Sequence, residues 1–154
     1  MKGWITAIGA IGFGLASLAP AAMAANQGVT GAWLVEDGKA TVDIEPCGAS
    51  VCGTIAWMKN PLNDAGKPKT DIHNSDPAQQ DRKLCGMQIL WGFSKDSDGA
   101  WSGGQIYDAE HGKTYSSNIH VQDDGTLSLR GYIGLSIFGK SQVWTRPAAP
   151  LPHC

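Results

Sequence analysis

Residues 101–132 read WSGGQIYDAEHGKTYSSNIHVQDDGTLSLRGY, and their pattern decides the fold. Within residues 114–121, Tyr115, Ser117, Ile119 and Val121 fall on one face, and Ser116, Asn118 and His120 on the other. A period of two is the pattern of a half-buried strand. The flanking runs 101–107 and 126–132 are strand-like too. Between the runs lie turn clusters, Asp108-Ala109-Glu110-His111-Gly112 on one side and Asp123-Asp124-Gly125 on the other. Each ends in a glycine, which reaches the positive φ that tight hairpins demand. The stretch is a three-strand antiparallel meander.

The same grammar extends outward in both directions. Residues 30–35 put Trp33 and Val35 on one face, and residues 40–45 alternate Val42 and Ile44 against Thr41 and Asp43. Residues 51–58 place Ile55 and Trp57 together, and residues 87–93 carry Met87, Ile89, Trp91 and Phe93 at strict period two. A glycine-flanked loop, 134–139, leads to a last strand at 141–146. The one long irregular segment is 59–81, rich in Asn, Asp, Pro and Lys, with a helical turn expected from Asp76-Pro77. No helix-period stretch exceeds about two turns. The expected class is therefore all-β. Eight short antiparallel strands, with one longer polar loop between the third and fourth, suit a two-sheet sandwich or an up-and-down barrel. A barrel of that size is filled by side chains or holds one small ligand.

The chain has 154 residues and a formal charge of −2. Residues 1–24 read as an export leader: Lys2, an apolar run from Ile5 to Leu18, a break at Pro20, and Ala22-Met23-Ala24 before Ala25. The run falls short of the ~20 residues of a spanning helix, and no cysteine follows the cleavage point to take a lipid. The reading is a signal peptide, 1–24, cut near Ala24/Ala25, then a single barrel domain, 25–154, periplasmic or secreted, with no membrane span. Losing Lys2 takes the charge to −3. That sign excludes nucleic-acid binding driven by phosphate electrostatics. Protein partners are not legible.

All four cysteines, Cys47, Cys52, Cys85 and Cys154, lie beyond the leader, and an even number in an exported chain reads as disulfides. Three connectivities exist. Sequence alone does not choose among them; Cys47 and Cys52 flank four residues between two strand-like runs and could face each other across a hairpin, in which case Cys85 is left for Cys154 and ties down the tail. No zinc-finger spacing is present, so no metal is expected.

Two further features concern closure. Gly31-Ala32-Trp33 opens the first strand, and Arg146 ends the last. In a closed barrel these strands are neighbours, so the guanidinium can lie over the indole and plug one end. A G-x-W opening with a C-terminal Arg resembles the lipocalin and avidin-like barrels. Motifs along the chain are similar, in order, to those of a family of small exported bacterial proteins known only as a domain of unknown function, DUF2147. They are Cys47-Gly48-x-x-x-Cys52-Gly53-x-Ile55, Leu84-Cys85-Gly86, Gly103-Gly104-x-Ile106-Tyr107-Asp108, Gly112-Lys113-Thr114-Tyr115, Leu129-Arg130-Gly131-Tyr132-Ile133-Gly134 and Trp144-Thr145-Arg146. The resemblance spans about residues 28–146. It implies a lipocalin-like β-barrel outside the cytoplasm, with no established reaction and no catalytic residues to carry over.

Chemistry-bearing motifs mostly have plain explanations. Asp96-Ser97-Asp98-Gly99 begins as a calcium loop does, but Ala100, Trp101 and Tyr107 stand where an oxygen ligand, a turn glycine and a bidentate Glu are required. It reads as a turn. Asp108, Glu110 and His111 sit in a hairpin tip that offers no desolvated pocket. His73, His111, His120 and His153 lack ligand spacing. No G-x-S-x-G, P-loop or dinucleotide fingerprint occurs, and no cofactor is expected. The aromatic residues are the richer set. Trp33, Trp57, Trp91 and Trp144 fall on phases that could point inward, where the plain reading is hydrophobic core and the sharper one is a cavity lining. Trp57, Trp91 and Trp144, with Tyr115, Tyr132 and Gln142 supplying polar groups, are the candidate lining for a small apolar or amphipathic ligand, and Asp108 and Arg130 are rim positions. The expected function is non-enzymatic binding or carriage of such a ligand. The alternatives are an envelope interaction or stress protein acting through the surface loop 59–81, and a hydrolase using Asp108, Glu110, His111 or His120.

Overall fold

A computed structural model describes residues 28–135 and 139–154; the leader and its cleavage site lie outside the described residues. The strands are β1 (Gly31–Leu34), β2 (Ala40–Cys47), β3 (Ser50–Met58), β4 (Gln88–Trp91), β5 (Ser94–Lys95), β6 (Trp101–Asp108), β7 (Lys113–Val121), β8 (Leu127–Tyr132) and β9 (Lys140–Trp144). All pairings are antiparallel, in the order β1-β2-β3-β4-β6-β7-β8-β9, with β5 continuing β4 along β6. The ring closes where Leu34 and Thr145 exchange two backbone hydrogen bonds, of 2.7 and 3.0 Å. Past that bridge the seam is held by the Val143 amide donating to a Glu36 carboxylate oxygen at 3.1 Å. The result is a nearly closed eight-stranded barrel.

The interior face follows from rows of directly opposed residues. Trp33, Val42 and Ile55 form one row, and Ile44, Gly53, Leu90, Ile106 and Tyr115 form the next. Further rows run Gly104, Ser117, Gly131, Lys140 and then Ile119, Leu129, Gln142. Trp33, Trp144, Phe93, Ile44, Leu90, Ile119, Leu127 and Val42 are almost wholly buried and make the core.

One strand departs from the period-two reading. Leu90, out of phase with Met87, Ile89 and Trp91, is the residue that opposes Gly53 and Ile106, while Trp91 opposes Gln105. Both Ile89 and Leu90 are buried, so alternation does not report the inward face of β4. Gly92 then adopts φ +77°, a conformation open to glycine, and shifts the phase by one residue. Phe93 is thereby turned inward, and its ring occupies the space that a side chain on Gly104 would need.

One end of the barrel is plugged. The Arg146 guanidinium carbon lies 3.6 Å from the centroid of the Trp33 ring. Its nitrogens donate to the carbonyls of Gly28 (2.8 Å), Thr30 (2.9 Å) and Ala32 (3.1 Å). Gly31, at φ +101°, has to lack a Cβ, because one there would stand 2.8 Å from Arg146 Nη1. Two disulfides, Cys47–Cys52 and Cys85–Cys154, have Cα separations of 5.8 and 6.0 Å. The second fastens the tail beside β3, where the Cys154 amide donates to the Ala56 carbonyl. The expected helical turn is a 3-10 turn, Pro77–Gln79, capped by Asp76, whose carboxylate accepts from the Ala78 amide. No helix among the described residues is long and apolar enough to cross a membrane.

Candidate functional site

The interior face changes character along the barrel axis. Near the plugged end, Phe93, Ile119, Leu127 and Trp144 are at most about 1% exposed and form a floor. On the same inward rows toward the other end stand Ile106, Tyr115 and Gly131, which are only half-buried, then Lys140, which is exposed; Gln142, on the row of Ile119 and Leu129, is exposed with the rest of Lys140–Val143 on β9. Burial thus fades from floor to rim on the wall formed by β6 to β9. The rim at this end is built from the β1–β2 and β6–β7 turns, the segment 59–87 and the β8–β9 connection. The two turns are tied together by Lys39, which pairs with Asp37 at 2.9 Å and Glu110 at 3.0 Å.

The residues picked out in the sequence do not all converge. Tyr115, Gln142 and Trp144 share the inward face, and the Trp144 indole donates to the Gln142 side-chain carbonyl at 2.8 Å. That bond fixes the rotamer of Gln142 and turns its amide nitrogen away from the indole. Tyr132 opposes Ser116, on the phase of Arg130 rather than of Gly131, so it lies on the outer face. Trp91 likewise opposes Gln105 on the outer phase. Trp57 is half-buried at the end of β3 beside Thr41, next to a bulge. Arg130 lies on the outer face and donates to the Ser141 hydroxyl at 2.9 Å.

The turn cluster forms a brace. Asp108 accepts from the backbone amides of Glu110 (2.9 Å) and His111 (3.3 Å), and its other oxygen meets His111 Nδ1 at 2.7 Å. The imidazole and Glu110 are about two-thirds exposed. His120 sits on β7 near the plugged end, beside Asp98 and Gly28 in a groove of about 480 Å³. A second groove of similar size, about 480 Å³, lies outside the barrel between Asp43, Thr54, Gln88 and Cys154. Neither groove contains a residue of the aromatic set. Among the described residues no cluster of His, Cys, Asp or Glu is arranged to hold a metal.

A network absent from the sequence reading organises the long loop. Asp71 is completely buried. One of its oxygens accepts from the Tyr107 hydroxyl at 2.7 Å. The other accepts from Asn74 Nδ2 at 2.7 Å and from Arg82 through Nε at 2.9 Å and Nη2 at 2.8 Å. Burial alone would raise the carboxyl pKa. The hydrogen bonds from Asn74, Tyr107 and Arg82, with the Arg82 charge, outweigh it and hold the group below the usual carboxylate range. Burial, then the bond to Asp71, pushes the Tyr107 phenol up. Arg82 also lies over the Tyr107 ring, 5.2 Å from its centroid. Both carboxylate oxygens are engaged and the group is fully buried, so the network clamps residues 59–87 onto β6. Local sequence could not reveal it, because Asp71 and Tyr107 are separated by 36 residues with no periodic pattern joining them.

The family model described as "Uncharacterized protein conserved in bacteria (DUF2147)" matches residues 31–146. No curated protein matches the chain at a significant level. Among solved structures, a similar one is protein HP1028 from the human pathogen Helicobacter pylori, described as belonging to the lipocalin family. It superposes with a TM-score of 0.67 at 22% identity, covering 77% of this chain and 82% of that one. The likeness establishes a lipocalin-like fold.

Proposed function

We propose a function from the premise that this chain belongs to the DUF2147 family of bacterial proteins, whose model matches residues 31–146. The protein binds or carries a small apolar or amphipathic molecule in the rim-side half of its barrel, without catalysing a reaction. One observation supports the reading: the inward rows of β6 to β8 are fully buried over the floor and only half-buried at Ile106, Tyr115 and Gly131. A barrel that served only as a packed scaffold would bury these inward positions as deeply as the floor. Apolar walls with a few placed polar groups suit an amphipathic guest. The protein works outside the cytoplasm, in the periplasm or beyond the cell. Two disulfides and the leader-like residues 1–24 support that placement.

The test uses Gly131, where an added Cβ would meet nothing nearer than Ile106 and Tyr115 carbons at 3.7 Å. Gly131→Leu places a side chain in the rim-side half of the barrel. Medium-chain alcohols, ketones and acids are titrated against tryptophan fluorescence and by native mass spectrometry. Binding by the wild type and at least about tenfold weaker binding by Gly131→Leu, with an unchanged fold by circular dichroism, is expected. No binding by the wild type, or equal binding by the variant, refutes the reading.

A further inference from the structure

After Asp124 the chain contains no acidic residue: residues 125–154 hold Arg130, Lys140, Arg146 and His153 and no Asp or Glu. Arg146 is committed to the plug at the far end, which leaves Arg130 and Lys140 beside the β8–β9 connection at the rim. The large apolar side chains exposed among the described residues are Leu62, Ile72, Ile133, Leu135 and Val143. Ile133 and Leu135, 73% and 66% exposed, open that connection. Gly134 between them turns the chain at φ +73°. A single exposed apolar residue is ordinary on any surface. Two within three positions at the tip of a hairpin, where turns favour polar residues, are not.

The ground behind this tip is free of negative charge. On the outer face Tyr132 opposes Ser116, and Arg130 lies between Asn118 and Ser141. Tyr132 is half-buried and directly precedes the tip, and Lys140 is exposed at the start of β9. The acid placed nearest on β9, Glu36, is engaged by the Val143 amide. Leu62 and Ile72 stand differently, because their segment also carries Asp64, Asp76 and Asp81. The turns at the plugged end hold Asp96, Asp98, Asp123 and Asp124. An apolar tip backed by a tyrosine and two cations suits a lipid surface. The tip enters the boundary between headgroups and acyl chains, the ring lies at headgroup level, and the cations meet phosphates. A protein groove would use the apolar part and give no reason for the missing acids. The same phosphates repel the acids of the plugged end, so the charge distribution also sets the orientation.

We propose that the β8–β9 corner docks the barrel, rim first, on the surface of an anionic phospholipid bilayer. Ile133 and Leu135 enter the interface, and Arg130 and Lys140 face the lipid phosphates. The site is on the outside of the barrel and holds whether or not the interior carries a ligand.

The experiment floats residues 25–154, with both disulfides intact, on vesicles of phosphatidylcholine alone or mixed equally with phosphatidylglycerol, at about 0.1 M and about 0.5 M salt. The wild type is expected to bind the mixed vesicles, and more weakly at the higher salt. Ile133→Ser combined with Leu135→Ser should bind them at least about tenfold more weakly. Lys140→Gln should lose about fivefold on mixed vesicles and little on phosphatidylcholine alone. Val143→Ser removes an apolar group that is 41% exposed but away from the tip, and should bind as the wild type does. All these side chains are exposed, so each variant should keep a Tm within about 2 °C of the wild type. No binding of the wild type to mixed vesicles, or equal binding by the double variant, overturns the proposal. Val143→Ser losing as much as the double variant overturns the role of the tip. Self-association of the wild type in analytical ultracentrifugation that the double variant abolishes, without vesicle binding, assigns the tip to a second copy of the chain and overturns the lipid reading.

Discussion

Replacing Asp71 with Ala tests whether the segment 59–87 is clamped by one buried carboxylate. Four donor contacts converge on it, from Tyr107, Asn74 and two nitrogens of Arg82, at 2.7–2.9 Å. Removing one partner of a buried, hydrogen-bonded ion pair costs about 3–5 kcal/mol. Two features place this site at the low end. Arg82 is 39% exposed and rehydrates, and the Tyr107 hydroxyl keeps its contact with Asn74 at 3.0 Å. The expected loss is about 3 kcal/mol, or a fall of roughly 10 °C in Tm for a domain of this size. The acid limb supplies a second readout. The folded pKa of Asp71 is lowered, so its stabilisation is present above the unfolded value of about 4 and is lost as pH falls through the folded value. The gap between wild type and variant should therefore be full at neutral pH and close in acid. Tyr107 has the opposite sign: its raised pKa gives stability that is present below pH about 10 and lost above it. Thermal unfolding monitored by circular dichroism across pH measures both. Hydrogen exchange should show early opening at the amides of Asp71 and Leu84, which donate to the carbonyls of Arg82 and Lys69. A variant within about 2 °C of the wild type, with both amides still protected, would refute the clamp.

Gly112→Ala should destabilise by at least about 2 kcal/mol and release the same loop, because φ is +64° and a Cβ would collide with the His73 carbonyl; urea unfolding with limited proteolysis between residues 59 and 87 measures it. Arg146→Lys should cost about 2 kcal/mol in urea unfolding despite keeping the charge, since an ammonium can neither stack flat on Trp33 nor reach all three carbonyls at once. Removing Cys85–Cys154, which spans a sequence separation of 69, should lower stability by about 4 kcal/mol, against about 2 kcal/mol for Cys47–Cys52 with a separation of 5. Paired Ala substitutions and urea unfolding compare the two, and an equal loss would contradict the loop-closure account.

The strand order was legible because turn chemistry marks nearly every hairpin: Gly38, Gly48, Gly99, Gly112 and Gly125 all adopt positive φ at turns between strands. The disulfide pairing was legible because a five-residue separation across a hairpin leaves one partner for the remaining cysteines. Phase was harder to read. Apolar residues occupy both faces of β4, and Gly92 resets the alternation, so a strict period of two pointed Trp91 to the wrong side. Tyr115 and Tyr132 look alike in sequence, yet they fall on opposite faces because Tyr132 is one residue out of step with Gly131. The Asp71 network could not be read at all. It depends on what stands across a loop, and no local pattern records that.

A crystal structure of the wild-type protein with decanol tests the central claim most directly. The account predicts ligand density inside the rim-side half of the barrel, against Ile106, Tyr115 and Gly131. Density confined to the outer groove beside Cys154, or an interior filled by the protein's own side chains with no ligand in it, would contradict it.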